Sequence, residues 1–587
     1  MRLSLLLKII GPFLLLAGCA TSNIQSTKIS ASADLPLGHG VVAAQVINNT
    51  DRLAPLHKGW TEVIVIRTDN IEELKRLATE KAKAKGKSVA PDDLDWQPDA
   101  YSLTANNKGV IDSQIFVGSM PNGTYMISSL YSFFSNGEIS SWVSMPVYQA
   151  AGNFDVVSNK LTNLGSIVFQ PLLNVKEKSF WNNSSSQKAY VTRLNDKQNF
   201  TDFILSHYPN LAQKIEFTDP MGWSEDEFDE FRIKLGELSR ENAFGERVSY
   251  LQKIGRGAVA ARFGQLKVLQ ENGEWIKNDL PTNGQLSAVI ELQNKVAVGS
   301  EKGLVFINNH TSTGWLEIQP VSAKEAVVWF GKGANKHYAL TSAAMDYYVY
   351  EFEEPTQPWE KVGSFKKKER NNWLVQNGGL FPWIKQDGSL RVINDNTVYD
   401  YDNVSNTWTS AKTTSLVKLA QLRHGPLVGL EVSQWDGVGD QVYSLDDGES
   451  WLDINRNLSL FGDAKSDVSL PTLLSDNTVV TVARVKEKGA KSSDLKIVSS
   501  SIENLKSKGK WQIHGLTQGT CNTLLPELTD QNTLFFLCDK GEIVSTNNFG
   551  GTWKTELNID LVGMQAKHQS MIKAMSEEYE KDKEPAP

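Results

Sequence analysis

Between residues 245 and 560 the chain alternates apolar and polar positions in short runs, each closed by a cluster of Gly, Asn, Asp or Ser. Alternation with period two specifies half-buried β-strands, because successive side chains in a strand point to opposite faces. The pattern repeats as a unit. Lys295 to Gly299, Gly303 to Asn308, Asn309 to Gly314 and Trp315 to Ile318 read as strand, strand, polar turn, strand. The order recurs in Thr533 to Asp539, Glu542 to Thr546, Asn547 to Gly551 and Thr552 to Leu557, and a further β-rich stretch such as Leu286 to Gln293 or Leu416 to Leu422 precedes each unit. Trp275, Trp315, Trp359, Trp408, Trp451, Trp511 and Trp553 occupy one place in successive units, at intervals of 40, 44, 49, 43, 60 and 42 residues. Four-stranded repeats of this length predict the blades of a β-propeller, and seven tryptophans predict seven blades over residues 245–560.

The chain ahead of the repeats has a different pattern. Residues 35–173 alternate in strands over Val41 to Asn48, Glu62 to Arg67, Val110 to Val117, Gly123 to Leu130 and Ser166 to Gln170. An amphiphilic stretch from Ile71 to Lys85 predicts a surface helix capped near Asp69 or Asn70. The strand entry Ser119-Met120-Pro121-Asn122-Gly123-Thr124-Tyr125-Met126-Ile127 resembles that of transthyretin-like and carboxypeptidase-regulatory-like domains, and the resemblance implies a β-sandwich. Residues 174–244 shift toward helical period, with Ser224 to Glu227 reading as a capping box, so a short helical linker is expected between sandwich and propeller. A helix from about Met564 to Tyr579 and a frayed tail end the chain, within a segment 561–587. The fold class expected is therefore mainly β.

Composition adds location. The chain has 587 residues, a net charge of −8, three cysteines and sixteen tryptophans, and its mildly acidic balance gives no electrostatic footprint for nucleic acid. Arg2 and Lys8 precede an apolar run from Ile9 to Leu16, followed by Ala17-Gly18-Cys19. This segment resembles a bacterial lipoprotein signal, which implies cleavage after residue 18, acylation (palmitate among the acyl chains) of Cys19 and a tether over residues 19–34. Ala20, standing where retained inner-membrane lipoproteins commonly carry Asp, implies the outer membrane, with the chain facing the periplasm or exposed at the surface. No later run reaches the eighteen apolar residues of a spanning helix, so attachment through lipid is the expected membrane contact.

Cys521 and Cys538 then remain, in an oxidising compartment. They lie on two strands flanking the polar stretch Pro526 to Asn532, and the midpoint of their numbers falls inside that turn, which predicts a cross-strand disulfide. There is no C-x-x-C and no flanking cation to activate a thiol.

Two of the seven polar turns carry a motif. Ser444, Asp446, Gly448 and Trp451 in one, and Thr546, Asn548, Gly550 and Trp553 in the other, fit [ST]-x-[DN]-x-G-x-x-W and resemble the Asp-box, or BNR repeat, of sialidases and other propellers. The Asp or Asn can accept backbone N–H groups across the turn, Gly supplies a positive φ, and Trp packs across the hairpin. The ligand face is expected at the other end of the blades, in the loops joining second to third and fourth to first strands, with Trp435 and Asp436 in one such loop and Arg370 and Trp373 in another.

Catalytic residues, metal ligands and a cofactor are not assigned. Arginine is scarce, the early Arg-Ile-Pro signature of sialidases is missing, and neither H-E-x-x-H nor a phosphate loop occurs. The expected function is that of a lipid-anchored envelope protein whose propeller binds a macromolecule, either an envelope protein in a scaffold or assembly role or, alternatively, a glycan that it binds or hydrolyses. Similar propeller lipoproteins serve in envelope assembly.

Overall fold

The computed structural model describes residues 24–581 except 33, 50–58, 91–92, 136–139, 174, 177–184, 187, 195–198, 254, 294, 310–313, 368–377, 433–439, 455–468, 486–493 and 506–509. The chain divides into two compact units. One comprises residues 1–107, 113–239 and 567–587, the other residues 108–112 and 240–566.

In the first unit eleven strands form one sheet. Its path runs Ala189–Leu194, Lys160–Pro171, His39–Asn48, Ser113–Pro121, Ala100–Asn106, Glu62–Arg67, Gly123–Ser135, Ser140–Pro146. Val191 from one end of this path and Leu130 from near the other share a single core with Trp60, Phe116, Tyr125 and Phe154, so the sheet curls round one interior. This differs from the two facing sheets of the sandwich expected from sequence. The cause is the parallel pairing of His39–Asn48 with Lys160–Pro171, which joins the two halves into a continuous ladder. The quoted turn behaves locally as its composition dictates: Pro121 ends one strand, Gly123 begins the next, and the buried Tyr125 donates its hydroxyl to the Pro121 carbonyl at 2.8 Å.

The segment expected as a helical linker is part strand. Ala189–Leu194 and Glu216–Met221 both pair with Lys160–Pro171, while helices cover Thr201–His207, Pro209–Ala212 and Asp229–Glu241. Ser224 does not cap the last of these. Asp226 accepts the Phe228 N–H at 2.8 Å and, with Asp229, holds the buried Arg232 at 2.6 Å, an ion cluster that a capping-box pattern does not reveal. The helix Ile71–Ala84 forms where alternation gave way to amphiphilic spacing, with no buried residue and with Glu72–Lys75, Glu73–Arg76 and Arg76–Glu80 pairs along it. The closing helix Leu561–Lys581 begins in the second unit and continues in the first, where His568 stacks on Tyr190 with ring centroids 4.7 Å apart.

The second unit is a seven-bladed β-propeller. Each blade is a four-stranded antiparallel sheet made from strands consecutive in sequence. The inner strands are Gly245–Tyr250, Leu286–Leu292, Ala326–Lys332, Leu380–Ile384, Leu416–Gln421, Thr472–Leu473 and Cys521–Leu524. Turns between second and third strands use the geometry that sheet twist favours: Phe263-Gly264 and Lys302-Gly303 hold both residues at positive φ. A Cβ on Gly264 would lie 2.2 Å from the Thr282 carbonyl oxygen, so glycine is required there by both φ and space.

The repeated tryptophans stand at or within one residue of the start of each outermost strand. They are wedges between blades. Trp315 packs into the core shared by blades one and two, Trp359 into that of two and three, and Trp408 into that of three and four. Trp451, Trp511 and Trp553 repeat the arrangement at the next three interfaces, and Trp275 serves the seam between blades seven and one. A sheet blade buries its faces only against its neighbours, so one large aromatic per interface recurs with the period of the blade.

Among the described residues no strand is shared between first and last blades, and side chains close the ring. Val259 and Leu269 of blade one pack with Leu525, Leu528, Phe535, Leu537 and Ile543 of blade seven, and Arg256 pairs with Asp530 across the seam. Cys521 and Cys538 face each other in register on the two inner strands of blade seven and form a disulfide.

Candidate functional site

The two motif turns have matching hydrogen bonds. In the first, the Ser444 hydroxyl accepts the Gly448 N–H at 2.8 Å and the Asp446 carboxylate accepts the Ser450 N–H at 3.0 Å. In the second, Thr546 accepts the Gly550 N–H at 2.9 Å and Asn548 accepts the Thr552 N–H at 2.8 Å. Asp447 and Gly448, like Phe549 and Gly550, have positive φ. These side chains are spent on their own backbone, and Trp451 and Trp553 join the inter-blade cores. Trp435, Asp436, Arg370 and Trp373, expected on the ligand face, lie outside the described residues, as does Cys19.

A cavity opens at the end of the blades opposite the expected ligand face. The ends of the inner strands and the turns to the second strands surround a space of about 520 Å³. In a meander the first and third turns of a blade share one end, so this mouth lies on the same face as the two motif turns. Blade one contributes Tyr250 and Lys253, blade two Glu291, and blade three Trp329 and Lys332. Ile384 comes from blade four, Gln421 and Arg423 from blade five, and Glu527 from blade seven.

The charges here have separate surroundings. The Glu291 carboxylate is taken up by the backbone N–H groups of Gln252 and Lys253. The Arg423 guanidinium lies 4.3 Å from the centroid of the Tyr250 ring and donates to the Arg256 carbonyl, while its buried Nε has no hydrogen-bond partner. Desolvation, reinforced by Arg256, lowers its pKa. Lys253 reaches only the Gln293 carbonyl, at 3.2 Å, and Lys332 makes no ion pair among the described residues. Burial pushes the Glu527 carboxyl up to about 7, opposed by the charge of Lys418.

No protein-family model matches this chain, and no curated protein matches it. Solved structures do. YCF48 bound to D1 peptide is 11% identical, over 47% of this chain and 83% of that one, at a TM-score of 0.32. The β-propeller domain of Cps50 (Swd1) from Myceliophteria thermophila is 9% identical over 52% and 96%, at 0.35. YCF48 from Cyanidioschyzon merolae is 12% identical over 52% and 96%, at 0.36. None reaches 0.5, and the seven-bladed architecture rests on the seven sheets themselves.

Glu527 sets a pH dependence whose sign follows from linkage. Its folded pKa lies above the ordinary 4.5, so between pH 4.5 and 7 the folded chain holds a proton that the unfolded chain has released. Its contribution to stability is therefore lost as pH rises through that window and is flat above it. Glu527→Gln removes the carboxylate, and the variant should match the parent near pH 4 and exceed it by about 1–2 kcal/mol at pH 8, after allowance for solvent screening. Urea unfolding of the full chain at the two pH values reads this directly, and a constant difference would refute it.

Sequence reading passed over these residues because each sits singly in its own repeat. Lys253, Lys332, Lys385 and Arg423 each stand at or within three residues of the end of the first strand of their blades, but their distances to the blade tryptophans differ, so the tryptophan register does not bring the recurrence out.

Proposed function

We propose that this chain is an outer-membrane lipoprotein, anchored through Cys19 and facing the periplasm, whose propeller binds another envelope protein at the channel mouth. The observation that carries the binding role is the cavity of about 520 Å³, where six blades bring cations, amides, aromatics and aliphatic walls to one opening. A rigid ring with independently variable turns suits recognition of a macromolecule. The anchor is supported by the leader pattern. The first described strand, Ile24–Ser26, begins five residues after Cys19, which would hold the first unit within about 17 Å of the lipid headgroups.

Growth with a palmitate analogue should label the parent chain and leave Cys19→Ala unlabelled and released from the membrane fraction. Label retained by the variant would overturn the anchor. Crosslinking in intact cells should recover a stoichiometric envelope protein. Release of sugar from a sialoside or another glycan by the purified chain would instead favour a glycan-directed role.

A further inference from the structure

We infer that the channel mouth recognises an acidic, aliphatic stretch of polypeptide, an inference that rests on the partner-binding role proposed above and names the chemistry of its site. Three cations from three blades, Lys253, Lys332 and Arg423, converge on one cavity. They outnumber its two carboxylates, Glu291 and Glu527, and that of Glu291 is already held by two backbone N–H groups. The surplus is therefore positive, and the two lysines are exposed at its rim. Lysines without an ion-pair partner are ordinary on a solvated surface, but here they stand over a half-open cavity with aliphatic walls, where fields from like charges add and attract carboxylates.

Arg423 adds an independent observation. Its guanidinium is fixed by the Tyr250 ring and the Arg256 carbonyl, and its Nε is buried without a hydrogen-bond partner. Held in this way, the guanidinium places a fixed positive charge at the cavity wall that an incoming carboxylate can meet. The walls between the cations are apolar: Val289, Val328, Ile384 and Leu422 line the same cavity. Aliphatic side chains fit such walls, whereas the hydroxyl-rich faces of a sugar would leave polar groups unmatched there. The Gln252 and Gln293 amides, each with donor and acceptor atoms, match the N–H and C=O groups of an extended peptide backbone. Alternation of acidic with aliphatic residues meets both requirements at once, because an extended chain sends successive side chains to opposite sides.

The test uses the full chain and a fluorescein-labelled peptide alternating leucine with glutamate, followed by anisotropy. Saturable binding is expected, weakening as salt rises, with the glutamine isostere at least about ten-fold weaker. The double variant K253E/K332E, altered only at exposed side chains, should lose at least about ten-fold in affinity at an unchanged melting temperature. Equal binding of the two peptides, binding unaffected in the double variant, or absence of saturable binding would overturn the inference. Tighter capture of an oligogalacturonate than of the peptide would overturn it in favour of an anionic glycan. Crosslinking in cells separates this inference from the reading beneath it. If parent and K253E/K332E recover the same stoichiometric envelope protein, the partner role stands and the acidic-peptide site fails; if the parent recovers none, both fail.

Discussion

Trp359→Ala is expected to destabilise the propeller by about 3–5 kcal/mol, the range for removing a large aromatic from a packed core. Trp359 is only 9% exposed and stacks on Phe352 with centroids 4.6 Å apart, with Phe330 edge-on and Tyr350 tilted beside it. Its indole N–H donates to the Pro355 carbonyl at 3.2 Å. Alanine would leave a cavity between blades two and three that neither sheet can collapse into, because each is fixed by its own ladder. Trp275 holds the equivalent position at the seam between blades seven and one but is only partly buried, and its indole nitrogen has no partner. Trp275→Ala should therefore cost less than half as much. Chemical denaturation of the two variants against the parent measures both. Equal losses would mean that the tryptophans act within their own hairpins and not as wedges.

Loss of the disulfide is the second large effect. The Cys521→Ala/Cys538→Ala variant should lose about 3 kcal/mol on the chain-entropy account, given a loop of 17 residues of separation. Where the loss is felt follows from the closure of the ring. Cys538 lies one residue from Leu537, which belongs to the cluster joining blade seven to Val259 and Leu269 of blade one. Loosening the inner pair of blade seven should therefore raise amide exchange both in Leu534–Cys538 and in Gly257–Ala261, although the latter contains no mutated residue. Exchange rising in blade seven alone would refute the coupling. An unchanged midpoint of unfolding would remove the stabilising role altogether.

The propeller was legible because its information is local and repeated. Period-two alternation sets the strands, the tryptophan interval sets the blade, and Ser444 to Trp451 and Thr546 to Trp553 close their turns with their own side chains. The cysteine pairing was legible for the same reason, since a hairpin fixes its own register. The first unit was harder. Glu62–Arg67 is found within the bounds expected from alternation, but the parallel ladder between His39–Asn48 and Lys160–Pro171 joins segments more than a hundred residues apart. The strand Glu216–Met221 reads as linker because its parallel partner does not adjoin it in sequence, whereas Ala189–Leu194 turns back antiparallel on Pro171 across a much shorter span that carries no hairpin signal.

The amino-acid sequence by itself determined seven blades, the position of each wedge tryptophan, the facing cysteines and a leader that resembles a lipid anchor. Each of these depends on spacing along one stretch of chain. Only the tertiary structure decided that the first unit is one curled sheet, that side chains close the ring, and that Lys253, Lys332, Arg423 and Glu527 meet at one opening. Those residues come from four blades, and a propeller brings them together by rotation about its axis, a symmetry that no local pattern along the chain expresses.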